Sequence, residues 1–140
     1  MSLPTHLALE IVTPERPLVR ETVDEIALPG SEGELGVLPG HTPLLTTLKI
    51  GVLWYRQGEQ RHYVAVSQGF AEVLPDRVTV LAQLAERAES IDVPRAEAAK
   101  QRAELRLTKP GPDTDLELAR EALLKATVRL QVAARARAHA

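Results

Sequence analysis

The spacing of apolar positions changes once along the chain, near residue 85. Before that point lie most of the glycines, prolines, valines and isoleucines and every aromatic side chain; after it Ala, Glu, Arg and Leu dominate. In the first part, short apolar runs stop at turn residues. LALEIV (Leu7–Val12) ends at Thr13-Pro14, and VDEIALP ends at Pro29-Gly30. GVLWYR and RHYVAV flank Gln57-Gly58-Glu59, a short hairpin signal. GFAEVL and RVTVLA flank Pro75-Asp76, where proline pre-sets the turn. In RVTVLA, Val78 and Val80 alternate with Arg77 and Thr79, the period of two of a half-buried strand. Closely spaced strands without helices between them predict a β-sandwich or flattened barrel over residues 1–85.

Residues 86–140 have a helical period. Asp92 is the expected N-cap of VPRAEAAKQRAELRL, with Pro94 in the first turn, where its missing N–H is harmless. Lys109-Pro110-Gly111-Pro112 breaks this helix. Thr114 is expected to open a second one, with Glu117 at capping-box spacing. Leu116, Ala119, Leu123, Ala126, Leu130 and Ala133 form a seam of heptad type, matched by Ala96, Ala99, Ala103 and Leu107 on the first helix. The predicted architecture is mixed: an N-terminal all-β sandwich followed by a C-terminal antiparallel α-helical hairpin. A buried Ala methyl contributes well under the roughly 1.5–3 kcal/mol of a buried Leu or Val. Such a hairpin should be folded but weakly held; a static hairpin packed on the sandwich is the competing expectation.

Composition narrows the function. Aromatics make up 3% of the 140 residues against 44% hydrophobic residues overall, so Leu, Val, Ile and Ala must build the core. A net charge of −2 disfavours nucleic acid, which needs a basic surplus to displace counterions. With no cysteine, disulfides, thiolate nucleophiles and Cys-type zinc sites are excluded. The start of the chain lacks signal-peptide character, and no run approaches the ~18 apolar residues of a membrane span.

Groups that could do chemistry do not converge. His6, His41, His62 and His139 show no metal-ligand spacing, and none of the four serines lies in a G-x-S-x-G elbow. GELGVLPGH (Gly33–His41) reads as a loop rather than a strand. It has neither the Lys nor the following helix of a phosphate loop. Glu34 and His41 lack a nucleophile and an oxyanion site, so catalysis by this chain alone is not expected. IDVPRA (Ile91–Ala96) admits two readings. In one, Asp92 merely caps a helix beside solvated arginines. In the other, Arg102, Arg106, Lys125 and Arg129 on facing helices receive a polyphosphate. The last stretch, RLQVAARARAHA, carries Arg129, Arg135 and Arg137, with no acid after Glu121. These cations suit the helix dipole or an acidic partner.

GSEGELGVLPGHTPLLTTL (Gly30–Leu48), YVAVSQGFAEVLPDRVTVLAQLAERAESID (Tyr63–Asp92) and IDVPRA, in this order, resemble the epsilon subunit of the F-type ATP synthase over nearly the whole chain. The resemblance implies a small β-sandwich followed by two helices, with no catalysis of its own. It implies a rotor subunit of the central stalk that binds the gamma subunit and sits on the membrane c ring. Coupling of proton or sodium flow to ATP synthesis follows from that position. It places the protein peripherally on the cytoplasmic face of a bacterial plasma membrane, without direct membrane insertion. Ser31, Glu32, Gly33 and Glu34, and the region of His41, would meet the polar loops of the c ring. The helices would either fold down on the sandwich or extend into the alpha/beta catalytic head and inhibit ATP hydrolysis. Lys125, Arg129, Arg135 and Arg137 would then meet an acidic loop of the beta subunit. No cofactor is required, but some bacterial members bind ATP as a regulatory ligand through [IL]-D-x-x-R-A. The matching residues are Ile91, Asp92, Arg95 and Ala96, supported by Glu86, Arg102, Lys125 and Arg129. Lys125 stands where ATP-binding members have Arg, a point charge in place of a fork. An ATP-sensing binding module is the alternative reading of the whole chain.

Overall fold

The computed structural model describes residues 3–139. Among them are strands β1 (Leu7–Val12), β2 (Pro17–Val23), β3 (Glu25–Gly30), β4 (Gly33–Val37), β5 (Leu44–Leu48), β6 (Gly51–Gln57), β7 (Gln60–Leu74) and β8 (Arg77–Arg87). A single 3-10 turn, Ala88–Ser90, leads to helices α1 (Val93–Thr108) and α2 (Leu116–Ala138). The strands run in the order β2-β1-β8-β7-β5-β3-β4, with β6 pairing to both β3 and β7. The sandwich followed by a helical hairpin is the architecture expected from the sequence.

Alternation builds the sandwich. Leu7, Leu9 and Ile11 of β1 are buried while Ala8 faces solvent, and Val78, Val80 and Ala82 of β8 repeat the pattern. These side chains meet Ile26, Leu28, Leu53 and Val73 in one core whose only fully buried aromatic side chain is Tyr55. The scarcity of aromatics thus gives an aliphatic core, close-packed by β-branched side chains and Leu.

Several elements differ from the sequence reading. VDEIALP is divided at Asp24 between β2 and β3, and β2 and β5 had no clear apolar run of their own. RHYVAV and GFAEVL are one strand, β7. The first five residues of GELGVLPGH are strand β4 rather than loop. Leu35 and Val37 lie opposite Leu28 and Ile26 of β3, and that inward pair outweighs the turn preference of the glycines beside it. The cap of α2 is Asp115, not Thr114: its carboxylate accepts from Leu118 N at 3.1 Å. Thr114 instead closes the interhelical turn, its Oγ1 accepting from Gly111 N at 2.8 Å.

β7 is the axis of the domain. Its first half pairs with β6 and its second half with β5, both along the same edge. The handover falls at Gln68-Gly69. Gln68 has φ 53° and Gly69 φ 150°, and a Cβ on Gly69 would lie 2.0 Å from the Leu81 carbonyl oxygen. Only glycine lets the β7–β8 ribbon pass this close. Asp24 ties the other end together: it accepts from Gly58 N at 2.7 Å and lies 2.8 Å from His6 Nδ1. The Gly58 hydrogen bond, then that to His6, holds its carboxyl below the ordinary value of 3.8.

Gly69→Ala is expected to destabilise the protein by at least about 3 kcal/mol, measured by urea unfolding followed through Trp54 emission. Asp24 should contribute stability above the pKa of an unfolded Asp and lose it as pH falls through its lowered folded-state value. Asp24→Asn should therefore flatten the acid limb of a plot of stability against pH below about pH 4.

Candidate functional site

Residues 63 to 67 of β7 are buried in succession, which a one-sided strand would not show. Val64 and Val66 point into the sandwich core. Tyr63 and Ala65 point the other way, into a second apolar cluster with Ala88, Val128 and Val132, bordered by Val52, Trp54 and Ala136. Val128, Val132 and Ala136, spaced i, i+4 and i+8, form the stripe by which α2 docks on β6 and β7. A second stripe, Ala119, Ala126 and Ala133, is buried at a period of seven, alongside Ala96 and Ala103 of α1. The leucines of the expected seam contribute less: Leu123 and Leu130 are half-buried and Leu116 is 39% exposed. α1 rests on α2, and α2 rests on the sandwich.

Docking leaves a cavity of about 500 Å³ between the end of β8, the middle of β7 and α2. Its walls are largely Leu, Ile, Val and Ala, and its charged groups are Arg16, Glu86, Arg87, Lys125 and Arg129. Arg129 spans the two halves: Nε donates to Glu86 Oε1 at 2.7 Å and Nη2 to Oε2 at 3.4 Å. Lys125 Nζ pairs with Glu121, one turn back, at 3.3 Å. Arg87 donates to the Leu18 carbonyl at 3.0 and 3.3 Å, bracing β2 against β8. The Glu86–Arg129 pair is three-quarters to two-thirds buried, bidentate, and the strongest polar tie between sandwich and helices.

Of the eight residues expected at a nucleotide, Glu86, Lys125 and Arg129 line this cavity. Ile91 instead packs at the edge of the second apolar cluster. Asp92 caps α1, accepting from Arg95 N at 3.1 Å. Ala96 is buried, whereas Arg95 and Arg102 are exposed. Arg135 and Arg137 are also exposed, and His139 stacks on Tyr63 with ring centroids 5.8 Å apart.

The residues expected to face a ring of partner loops form two places rather than one. Ser31, Glu32, Gly33 and Glu34 are exposed at the β3–β4 turn, where Ser31 Oγ shares a 2.7 Å hydrogen bond with Thr47 Oγ1. His41 lies beyond the other end of β4, which is about 13 Å long. It is half-buried, with Nδ1 2.7 Å from the Thr42 carbonyl, and its neighbour Gly40 bonds to Pro75. Arg16 and Glu121 were not among the site residues expected from the sequence, because no motif or period marks them as such. Glu121 is legible in retrospect as the i−4 partner of Lys125. Arg16 becomes visible only when the β1–β2 turn is folded over β8. Among the described residues, no group of three or more His, Asp or Glu could hold a metal ion, and no helix is long and apolar enough to cross a membrane.

Val132 is fully buried between α2 and the sheet. Val132→Asp is expected to release the hairpin at a cost of roughly 3 kcal/mol or more, while the sandwich stays folded. The check is a red shift of Trp54 emission and protease cleavage within α2, with the strand signal in circular dichroism retained.

Residues 6–88 match the family model for the ATP synthase delta/epsilon chain, β-sandwich domain, and residues 89–134 match that for its long α-helix domain. The chain is 52% identical over 130 residues to the ATP synthase epsilon chain 2 of Syntrophotalea carbinolica, covering 92% of this chain and 94% of that one. It is 52% identical over 125 residues to the ATP synthase epsilon chain of Desulforamulus reducens, covering 89% and 95%. Among solved structures, its fold is similar to a chain of the Euglena gracilis mitochondrial ATP synthase. The TM-score is 0.71 and the identity 23%, over 99% of this chain and 85% of that one.

Proposed function

The chain belongs to the ATP synthase delta/epsilon chain family, and from that premise we propose that it is a non-catalytic rotor subunit of the central stalk. Its sandwich joins the gamma subunit to the c ring, and its helical hairpin is a movable arm that restrains ATP hydrolysis. The observation that carries the arm is the manner of docking: α1 rests on α2, and α2 holds the sandwich through one narrow stripe and one ion pair. Burial of Val128 and Val132 contributes roughly 3–6 kcal/mol before the cost of ordering the helices is subtracted. The sandwich core, with eighteen buried residues, is far more strongly held. The hairpin can therefore leave while the sandwich remains intact, freeing the stripe for another surface. Released in this way, Lys125, Arg129, Arg135 and Arg137 present a basic helix to an acidic loop of the beta subunit in the catalytic head.

The cavity favours a second, compatible reading, in which ATP is a regulatory ligand of the docked arm. Apolar walls suit a base, and Lys125 and Arg129 at one side suit phosphates. Both cations are neutralised by carboxylates of the chain itself, so the docked state stands without ligand and an entering polyphosphate must compete with Glu86 and Glu121. Arg95 and Arg102 would have to swing toward the cavity from exposed positions.

A chain ending near residue 88 is expected to assemble with the gamma subunit and c ring and to raise the ATPase rate of the reconstituted complex severalfold; an unchanged rate would remove the inhibitory arm. Titration of the intact chain with ATP should give a saturable heat that Arg95→Ala diminishes. Arg95 is the cleaner test than Asp92, because Asp92→Ala also removes a helix cap at a cost of about 1 kcal/mol.

A further inference from the structure

Four cations line the interdomain cavity, and three of them are already engaged. Arg87 is held by the Leu18 carbonyl, Lys125 by Glu121 and Arg129 by Glu86. Arg16 is in no ion pair among the described residues, and it borders the cavity from the sandwich side. Its backbone is fixed. Thr13 N donates to the Arg16 carbonyl at 3.0 Å, Thr13 Oγ1 donates to the same carbonyl at 3.0 Å, and Arg16 N donates to Thr13 Oγ1 at 3.3 Å. With Pro14 setting the turn, Arg16 carries an exposed guanidinium on a hydrogen-bonded base.

Resting on the reading of the cavity as a nucleotide site, we infer that Arg16 is its sandwich-side phosphate contact, so that bound nucleotide staples α2 to the sandwich. Among the cavity's cations, Arg16 is the one that meets an incoming phosphate without first giving up a partner. Lys125 and Arg129 travel with α2 when the hairpin leaves, whereas Arg16 stays on the β1–β2 turn. A polyphosphate held from both sides is bound only while α2 is docked. Its affinity for the docked state then exceeds that for any released state, and that difference is what lets a ligand shift the equilibrium. Contacts confined to α2 would travel with it, bind equally in both positions and shift nothing. The fork geometry of Arg also supplies bidentate phosphate recognition opposite Lys125, which offers only a point charge.

The test is calorimetric titration of the intact chain with ATP, paired with hydrogen exchange of the α2 amides. Arg16→Gln is expected to weaken ATP binding roughly five- to tenfold, a magnitude set by a charge-assisted contact at an exposed mouth. Arg16→Lys should recover part of the loss. Arg20→Gln, which removes an exposed cation paired with Glu10 outside the cavity, should leave affinity unchanged. At saturating ATP the wild-type α2 amides should exchange more slowly than without ATP, and in Arg16→Gln that slowing should be largely lost. Unchanged affinity in Arg16→Gln, or lowered affinity with full protection of α2 at saturation, would overturn the inference while leaving the nucleotide site standing. A wild-type chain giving no saturable heat at millimolar ATP would remove the nucleotide reading itself, and the inference with it.

Discussion

The structure depends on one strand being covered on both faces. β7 gives Val64 and Val66 to the sandwich core and Tyr63 and Ala65 to α2. A strand at the surface of a two-layer sandwich would leave that second face wet, and an apolar face of this kind demands a cover. α2 supplies it with a stripe only three residues long. The two halves of the chain are thus joined through a shared strand rather than through a broad interface.

Electrostatics refine this joint. The Glu86–Arg129 pair lies across it, partly shielded from water and bidentate, so it fixes the rotation of α2 about the Val128–Val132 stripe as much as it adds energy. Glu121 and Lys125 pair along one face of α2, and Gln68, held in the left-handed region at the corner of β7, reaches Glu121 at 3.5 Å. Of the basic groups that would serve a partner or a ligand, Lys125 and Arg129 are held in internal pairs while the helices are docked. Release of the arm, as proposed above, would unmask Arg129 together with the apolar stripe.

Family membership agrees with this physical picture at the level of architecture. A sandwich matched over residues 6–88 and a helical domain over residues 89–134 divide the chain where the 3-10 turn lies, the point at which the sheet ends and the hairpin departs. Residues set apart at opposite ends of β4, Glu34 and His41, also bear on the reading of that edge. A partner touching both would have to span the length of the strand rather than seat in a single pocket.

The sequence by itself determined the two-part plan, the positions of most strands, the aliphatic nature of the core, the cap at Asp92 and the break between helices. These follow from local chemistry: alternation, turn residues, capping and proline geometry act within a few residues. It marked GELGVLPGH by its glycines and so concealed β4, because Leu35 and Val37 find their reason in Leu28 and Ile26 across the sheet. The seam of α2 was legible as a heptad, but which of its stripes meets α1 and which meets β7 was not. A helix with two apolar stripes carries no local sign of which neighbour takes each. The cavity, the Glu86–Arg129 pair and the position of Arg16 were decided by tertiary structure alone. The Glu86–Arg129 pair joins residues 43 positions apart and the cavity lining runs from Arg16 to Arg129, and no local period encodes a contact between a β-turn, a strand end and a helix brought together only when α2 docks.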